Sequence, residues 1–318
     1  MTTKTASLNT GAEIPLVGLG CWMLKRVEAD NPATYQMVRD ALDVGYRHLD
    51  TADGYGNEQA VGKAVRDSGV PRKDIFVTTK LNNLDHGDVK AGFERNLKAL
   101  DIEYIDLYLM HWPQAVDPDT GKTVPFGTSP TFVETWKQME QLIGDGRCKA
   151  IGVSNFSVRN LETLLAEAKI VPAVNQVEAH PYLPQQGLDK LCREKGIHMT
   201  AYSPLGRPTA DKPSPLMTDA LVTKLSEKYN KTPGAVLLSW LVQRGNWSVV
   251  PKSANPERMK ANLDIFELET ADFDALSKVH TEPGKLRHLL KYDQPEDVMK
   301  SKKVFEWSLQ DMGWEQMD

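Results

Sequence analysis

The sequence contains little cysteine. Its three cysteines, Cys21, Cys148 and Cys192, are widely spaced, and no two of them have the two-residue separation typical of a zinc or redox pair. A disulfide framework and a cysteine-based zinc site are therefore excluded. Free thiols favour a reducing compartment.

Long apolar runs and an excess of basic residues are also missing. No stretch approaches the roughly 18 apolar residues of a membrane span, and residues 1–8 lack the apolar core of a signal peptide. The net charge at pH 7 is −5 and the sequence pI is about 5.9, which argues against an electrostatic surface for nucleic acid. We therefore expect a cytoplasmic protein that binds neither membranes nor nucleic acid.

The sequence does contain a regular alternation of short apolar runs and amphipathic stretches. Its 318 residues are 41% hydrophobic and 25% charged, as in globular proteins. Eight short runs rich in Val, Ile, Leu or Tyr predict strands buried on both faces, at residues 16–20, 46–50, 75–80, 105–111, 150–153, 173–177, 198–202 and 248–250. Amphipathic periodicity predicts helices at residues 32–44, 89–100, 132–143, 161–168, 188–194 and 216–229.

This alternation predicts an α/β protein, a single (β/α)8 TIM barrel over residues 1–318. A β-hairpin around residues 9–11 precedes the barrel, two long loops at 114–130 and 203–215 lie on its C-terminal face, and an extended tail covers 280–318. A doubly wound dinucleotide-binding fold is the rival interpretation. Residues 18–23, GLGCWM, lack the final glycine of its phosphate-binding turn, so the barrel is favoured.

Four ionisable residues mark one end of the predicted barrel. Asp50, Lys80 and His111 end three consecutive predicted strands, and Tyr55 follows the first of these. Active sites of such barrels are built at the carboxyl ends of the strands, so the four side chains should converge. Each residue alone is as readily a helix cap, a solvated charge or a packed ring. Their coincidence at neighbouring strand ends favours catalysis.

This set of side chains suits the reduction of a carbonyl. A tyrosine with the ordinary pKa of about 10 is a weak acid near neutrality, but an adjacent ammonium lowers that pKa. Lys80 can supply the ammonium, Asp50 can keep it protonated, and a neutral His111 can hydrogen-bond the carbonyl oxygen. Because no side chain donates hydride, a cofactor is required.

Several motifs give the chain a specific resemblance. Residues 45–52 (GYRHLDTA), continuing through Tyr55 to Gly62, resemble the first signature of the aldo-keto reductase family. Residues 250–253 (VPKS), followed by Arg258 and Asn262, are similar to its cofactor signature, and residues 152–156 (GVSNF) and 175–176 (NQ) match segments between the two. The resemblance covers roughly residues 7–280 in the order of the family.

The resemblance implies that Tyr55 is the proton donor and that the cofactor is NADPH/NADP+, with NADH as a weaker alternative. It assigns the nicotinamide carboxamide to Ser154, Asn155 and Gln176, and the nicotinamide ring to Tyr202. The loop over the pyrophosphate begins at Ser203 and Leu205. The 2′-phosphate is assigned to Lys252, Ser253 and Arg258, and the adenine to Asn262. Lys252 and Arg258 alone could be surface charges. Their position directly after the eighth predicted strand, where barrels commonly bind phosphate, favours the cofactor.

The substrate pocket is less sharply defined. The resemblance implies that Trp22 and Trp112 are pocket walls, although Trp112 could simply be packed, and Phe126 in the first long loop is a further candidate. The tail is expected to form another wall, but whether Trp307 and Trp314 contact substrate stays open.

Three departures from the family concern the substrate, and one of them is the long, charged tail of residues 280–318. Gly54 stands where sugar reductases of the family carry an acid, a function that Asp53 could take over, and Asn82 stands where aldose reductase has a tryptophan. A polar pocket favours a hydroxylated, sugar-derived aldehyde such as an aldose, a uronate or glyceraldehyde. Arg287 and Lys291 would suit a carboxylate if they pointed inward, with surface charge as the alternative.

Other functional classes stay open. The chain could be a non-catalytic cofactor-binding or structural protein on the same fold, or a general reductase of aliphatic and aromatic aldehydes. A metal-dependent hydrolase or isomerase is disfavoured because His48, His111, His180 and His198 do not cluster along the strands, and no metal is expected. The expected partner is a small-molecule carbonyl, and the expected state is a monomer or weak homodimer.

Overall fold

A parallel eight-stranded barrel forms the centre of the protein. The computed structural model describes residues 4–23, 25–207, 213–290 and 302–314. Strands β1 (Thr5–Ser7) and β2 (Glu13–Pro15) form the predicted antiparallel hairpin. The barrel strands that follow are β3 (Leu19–Gly20), β4 (His48–Asp50), β5 (Phe76–Leu81), β6 (Leu107–Met110), β7 (Ile151–Ser154), β8 (Val174–Glu178), β9 (His198–Tyr202) and β10 (Trp247–Val250). They neighbour one another in chain order.

The barrel closes between its first and last strands. Gly18 N donates to Val249 O at 2.8 Å, and Gly20 N donates to Pro251 O at 3.0 Å. A β-carbon on Gly20 would lie 2.6 Å from Val250 O, so only glycine allows this approach. The predicted (β/α)8 barrel is therefore confirmed, and each predicted strand overlaps an observed one.

Helices surround the barrel. Their bounds are α1 (Pro32–Val44), α2 (Glu58–Asp67), α3 (Val89–Leu100), α4 (Phe132–Met139), α5 (Val158–Leu165), α6 (Gln186–Lys195), α7 (Ala220–Tyr229), α8 (Pro233–Gln243), α9 (Pro256–Leu263) and α10 (Thr270–Lys278). Local capping explains several starts. Asn31 caps α1 by accepting from Thr34 N, and Ser157 caps α5 by accepting from Asn160 N.

Amphipathic periodicity missed some of these helices. It did not predict α2, α8, α9 or α10. Helix α8 is buried from Gly234 to Leu241, and a helix that is apolar on all sides shows no polar face to detect. Helix α5 begins three residues before the predicted bound of 161, directly after its Ser157 cap, and α4 ends at Met139, where a 3₁₀ turn (Glu140–Leu142) continues the chain.

The tail and the first long loop pack on one another. In the described part of the tail, β11 (Lys303–Val304) and β12 (Trp307–Ser308) form a hairpin that leads into α11 (Leu309–Met312). Trp307 Nε1 donates to Val124 O at 2.8 Å, and the buried Gln114 Nε2 donates to Val304 O at 3.3 Å. The central residues 208–212 of the second long loop, and Lys291 of the tail, lie outside the described residues.

Two expectations from composition can be compared with the structure. Cys21, Cys148 and Cys192 are free and buried, in agreement with the expected absence of disulfides among them. Within the described residues, no helix has the length and apolar character needed to cross a membrane.

Candidate active site

Three of the predicted catalytic residues form a connected group at the carboxyl ends of β4 and β5. Lys80 Nζ lies 2.7 Å from Asp50 Oδ1, 2.8 Å from Thr51 O and 3.5 Å from the Tyr55 hydroxyl. Asp50 and Lys80 are buried. Gln176 Nε2 on β8 donates to the other oxygen of Asp50 at 2.6 Å. The carboxylate is thus paired on both oxygens, and the ammonium is directed at the phenol.

Burial and charge act against one another in this group. Burial lowers the pKa of Lys80, but the carboxylate of Asp50 and the neighbouring Tyr55 outweigh it, so the pKa of Lys80 is raised and the ammonium persists. For Tyr55 the balance differs: burial raises the pKa of its phenol more than Lys80 lowers it. Lys80 thus lowers the pKa of Tyr55 as expected, but burial outweighs this effect, and the sequence shows the charge without the depth of burial. Tyr55 is a neutral hydroxyl at physiological pH.

His111 completes the group of four, Asp50, Tyr55, Lys80 and His111, which we call the catalytic group. Its ring centroid lies 5.8 Å from that of Tyr55 in an edge-on arrangement, while Trp22 approaches Tyr55 from another direction at 5.0 Å. Burial and the charge of Lys80 hold the pKa of His111 well below its ordinary value, so the imidazole is neutral. A neutral imidazole and a neutral phenol side by side can both donate hydrogen bonds to one oxygen atom.

A second group lies on the adjoining strands β7, β8 and β9. Asn155 Nδ2 donates to His111 O at 2.9 Å and to Ser154 Oγ at 3.2 Å, and Ser154 Oγ donates to Gln176 O at 2.8 Å. The Tyr202 hydroxyl donates to Asn155 Oδ1 at 2.6 Å. Asn155 has a left-handed backbone (φ 66°), which asparagine tolerates better than most residues. The four residues that the resemblance assigned to the nicotinamide are thus brought together next to His111.

A cationic group follows β10. Lys252 and Arg258 are exposed, but the partial burial of Lys252 and the charge of Arg258 lower the pKa of Lys252. Among the described residues, neither is paired with a carboxylate in a salt bridge. Ser253 Oγ contacts the backbone of Asn255, which caps α9 by accepting from Arg258 N at 3.0 Å. Two cations that repel each other at a helix start are suited to an anion.

The remaining cofactor candidates lie close to α8 and α9. A β-carbon on Gly234 would be 3.6 Å from both Asn262 Oδ1 and Leu205 Cδ1, so these two side chains face a common point. Ser203 has a left-handed backbone (φ 49°), and Gly206 N donates to Ser203 O at 2.8 Å. A tight turn therefore begins the loop after β9.

The predicted substrate residues are not all in one place. Asp53 and Asn82 are half-buried and bonded to each other, with Asn82 Nδ2 2.6 Å from Asp53 Oδ1. Phe126 instead packs edge-on against Trp307 at 5.0 Å, and both line a separate cavity of about 150 Å³ under the first long loop. The described contacts of Phe126 thus lie away from the catalytic group.

The tail does reach the vicinity of the catalytic group. Trp112, next to His111, lies 5.1 Å from the ring of Phe305 and 6.4 Å from that of Trp314. Arg287, by contrast, lies over the ring of Tyr182 at 5.6 Å and donates to Gly284 O at 2.8 Å. The sequence did not decide whether Trp307 and Trp314 contact substrate. Trp314 lies close to Trp112 beside the catalytic group.

Sequence reasoning missed the buried cluster that anchors the tail. Glu178, at the end of β8, lies 3.0 Å from His180 Nε2 and 2.9 Å from His288 Nδ1, and accepts from Leu289 N at 2.7 Å. Burial alone would raise the pKa of Glu178, but the bonds to His180 and His288 hold it below its ordinary value. The sequence does contain one signal for this cluster, since Glu178 directly follows a predicted strand and lies two residues after the candidate site residue Gln176.

A cavity of about 440 Å³ adjoins this anchor. It is lined by Asn155 and Tyr202 on the barrel side and by His288 and Trp314 on the tail side. Trp314 stacks on His288 with ring centroids 4.7 Å apart. Over the described part of the chain, no three histidine, cysteine or acidic residues are grouped so that they could bind a metal ion.

Comparison with known proteins agrees with this geometry. The sequence profile of the Aldo/keto reductase family matches residues 16–281. Glycerol 2-dehydrogenase (NADP(+)) of Saccharomyces cerevisiae is 45% identical over 94% of this chain and 97% of its own length. D-galacturonate reductase of Hypocrea jecorina is 41% identical over 93% and 96%.

A solved structure gives the same result. An aldo/keto reductase from Brucella melitensis superimposes with a TM-score of 0.76 at 39% identity and covers 87% of this chain and 100% of its own. The profile match, the full-length relatives and the shared barrel together show that this chain belongs to the aldo/keto reductase family.

Proposed function

We propose that the protein reduces a hydroxylated, sugar-derived aldehyde to the alcohol with NADPH, and that Tyr55 is the proton donor. Reduction of a carbonyl follows from the family, and the finer assignment is supported by one observation. Lys80 Nζ contacts Asp50 at 2.7 Å and the Tyr55 hydroxyl at 3.5 Å in a buried group next to His111. A phenol that must release a proton is thereby placed against a fixed positive charge.

The residues present fit the cofactor. Lys252 and Arg258, which form no salt bridge with another described residue, lie next to Ser253 and suit the 2′-phosphate, and this pair is the reason to expect NADPH over NADH. NADPH, when bound, supplies the hydride. The remaining contacts are assigned as the resemblance implied them: the carboxamide to Ser154, Asn155 and Gln176, the ring to Tyr202, the pyrophosphate to the loop that begins at Ser203 and Leu205, and the adenine to Asn262.

Side chains of the protein supply the proton that the carbonyl oxygen receives. His111 is neutral and can donate a hydrogen bond to the carbonyl oxygen, which orients the substrate toward Tyr55. Tyr55 gives its proton to that oxygen as negative charge develops on it. The phenolate left behind is stabilised by Lys80, and Asp50 keeps Lys80 charged and in place. Because the group is buried, these electrostatic interactions are stronger than they would be in water.

The substrate class is supported by the relatives. Two of the most similar relatives are named for glycerol and for D-galacturonate. Trp22 and Trp112 would be the apolar walls of the pocket beside Tyr55 and His111. We infer that an aldose, a uronate or glyceraldehyde is preferred to an apolar aldehyde.

Steady-state kinetics test the proposal. NADPH oxidation is followed with glyceraldehyde, galacturonate and benzaldehyde at matched concentrations, and kcat/KM is compared. The hydroxylated substrates should exceed benzaldehyde, and Tyr55→Phe should lose at least about a hundredfold in kcat while still binding NADPH, as expected for loss of a general acid. A higher kcat/KM for benzaldehyde, or no turnover of any carbonyl, would contradict the proposal.

A further inference from the structure

The proton donor depends on a short turn for its position. Tyr55 ends the 3₁₀ turn Asp53–Tyr55, which follows β4. Its hydroxyl lies 3.5 Å from Lys80 Nζ, at the outer limit of a hydrogen bond. Because Tyr55 and Lys80 lie on different elements, a small movement of the turn relative to β5 would separate the phenol from the ammonium.

A side-chain hydrogen bond joins these two elements. Asp53 is the first residue of the turn, and its Oδ1 accepts from Asn82 Nδ2 at 2.6 Å. Asn82 follows Lys80 by two residues, directly after β5. The bond therefore connects the turn that carries the proton donor to the strand that carries its cation.

A third residue supports Asp53 from behind. The two hydrogens of Asn96 Nδ2, on α3, are directed to Asp53 Oδ2 at 3.3 Å and to Glu58 Oε2 at 2.9 Å. Asn96 Oδ1 accepts from the Tyr108 hydroxyl at 2.7 Å, on the strand that leads to His111. Thr79, the neighbour of Lys80 on β5, donates to the other oxygen of Glu58. The network thus connects the turn after β4 with strands β5 and β6, which carry Lys80 and lead to His111.

The hydrogen bonds of this network depend on which side chain donates and which accepts. No salt bridge among the described residues pairs Asp53 or Glu58 with a cation, and the side chains of Asp53 and Glu58 share the single amide of Asn96. Burial raises the pKa of Glu58 to about 7. Asn82 is the second amide donor to Asp53. Replacing the amide of Asn82 by a carboxylate would place two negative charges next to each other in a partly buried site. Exchanging the amide and the carboxylate between positions 53 and 82 would preserve the hydrogen bond.

We propose that Asp53 and Asn82 are positioning residues: their hydrogen bond sets the separation between the Tyr55 hydroxyl and Lys80 Nζ and thereby the rate of proton transfer to substrate. The inference rests on the proposed function of Tyr55 but assigns a task to residues outside the catalytic group. It also replaces direct substrate contact as the main role of this pair.

The experiment compares Asn82→Asp with the exchanged pair Asp53→Asn/Asn82→Asp. The single variant places two carboxylates together and should lower kcat by about tenfold or more, since small misplacements of a reacting group are costly. The exchanged pair restores one donor and one acceptor and should return kcat to within about threefold of wild type. KM for each substrate, and the Kd of NADPH measured by fluorescence, should change little in both variants.

A matched control is available on the surface of α1. Gln36 Nε2 donates to Asp40 Oδ1 at 2.7 Å, so Gln36→Glu makes the same amide-to-carboxylate change far from the site and should leave kcat unaltered. Thermal unfolding of every variant identifies loss of fold. The proposal is overturned if folded Asn82→Asp keeps the wild-type kcat, if the exchanged pair stays as slow as the single variant, or if the loss appears in KM and differs between substrates.

A readout without turnover separates this proposal from the proposed function. Ionisation of Tyr55 is followed by ultraviolet difference spectroscopy, with Tyr55→Phe as the blank. Because Lys80 lowers the pKa of Tyr55, moving the phenol away in Asn82→Asp should raise that pKa, and the exchanged pair should return it. An unchanged ionisation in Asn82→Asp refutes the positioning role, whereas a wild-type protein that reduces no carbonyl refutes only the proposed function.

Discussion

Gln176 donates its side-chain amide to Asp50 Oδ2 at 2.6 Å across the interior of the barrel end. Lys80 occupies the other carboxylate oxygen at 2.7 Å. The carboxylate is therefore held between β5 and β8, and Gln176 contributes to the stability of the catalytic group as well as to the expected carboxamide site.

The first prediction concerns that bond. Gln176→Leu should lower the free energy of unfolding by about 1.5–3 kcal/mol, because a buried carboxylate loses one of its donors. Chemical denaturation measures the change. The control Gln36→Leu removes an exposed amide–carboxylate bond and should alter stability by less than about 0.5 kcal/mol. Equal effects of the two variants would contradict a special role for Gln176.

The second prediction concerns the cations after β10. Lys252→Ala and Arg258→Ala should each weaken the binding of NADPH by about tenfold or more, because each removes a proposed charged partner of the 2′-phosphate. The binding of NADH should be weakened far less. Fluorescence titration gives both dissociation constants. Lys63→Ala, on the exposed side of α2, is the control and should change neither. Equal losses for the two cofactors would exclude a 2′-phosphate site here.

The third prediction is a broad pH profile. The pKa of Tyr55 is raised, so its proton is retained until above the ordinary value of about 10. The pKa of His111 is lowered well below its usual 6.5, so the imidazole stays neutral on the acid side. With saturating cofactor, kcat should be flat from about pH 6.5 to 9 and fall only in alkali. An inflection of kcat near pH 7 would show that a different group controls the reaction.

The fourth prediction concerns a buried histidine remote from catalysis. His86 is completely buried, and no described residue hydrogen-bonds either ring nitrogen. Burial lowers the pKa of His86 from 6.5 to about 3. The unfolded chain therefore binds a proton that the folded chain excludes, and stability is lost as the pH falls below 6.5 toward 3, by up to about 1.4 kcal/mol per pH unit.

His86→Leu removes this contribution at similar side-chain volume. The variant should gain stability over wild type at pH 5 by more than at pH 8, as measured by denaturation at both values. The remaining acid sensitivity should persist, since the pKa of His48 is also lowered by burial, to about 4. A difference between variant and wild type that is the same at both pH values would refute the assignment.

The barrel and the catalytic group were predictable for a physical reason. Short apolar runs signal strands buried on both faces, and parallel strands place their carboxyl ends together, so Asp50, Lys80 and His111 could be grouped before any coordinates were known. The pKa of Tyr55 could not be predicted in the same way. Its direction depends on how deeply the phenol is buried, and a sequence shows neighbours in the chain rather than the exclusion of water.

Contacts between the tail and the barrel also could not be predicted from the sequence. His288 reaches Glu178 across 110 positions, and nothing in the periodicity of either segment points to the other. The Asp53–Asn82 bond was missed for a related reason. The sequence placed both residues near the candidate site, but whether a polar side chain faces substrate or another side chain is decided by packing.

The docking of the tail has a consequence for how enzymes of this type can diversify. The family profile ends at residue 281, yet Phe305 and Trp314, which contact Trp112, lie beyond it. Aromatic residues that pack beside the candidate catalytic group are thus encoded outside the part of the chain that the family profile covers. Replacing the terminal segment of this barrel by that of a relative should therefore change substrate preference and leave the residues of the catalytic group in place.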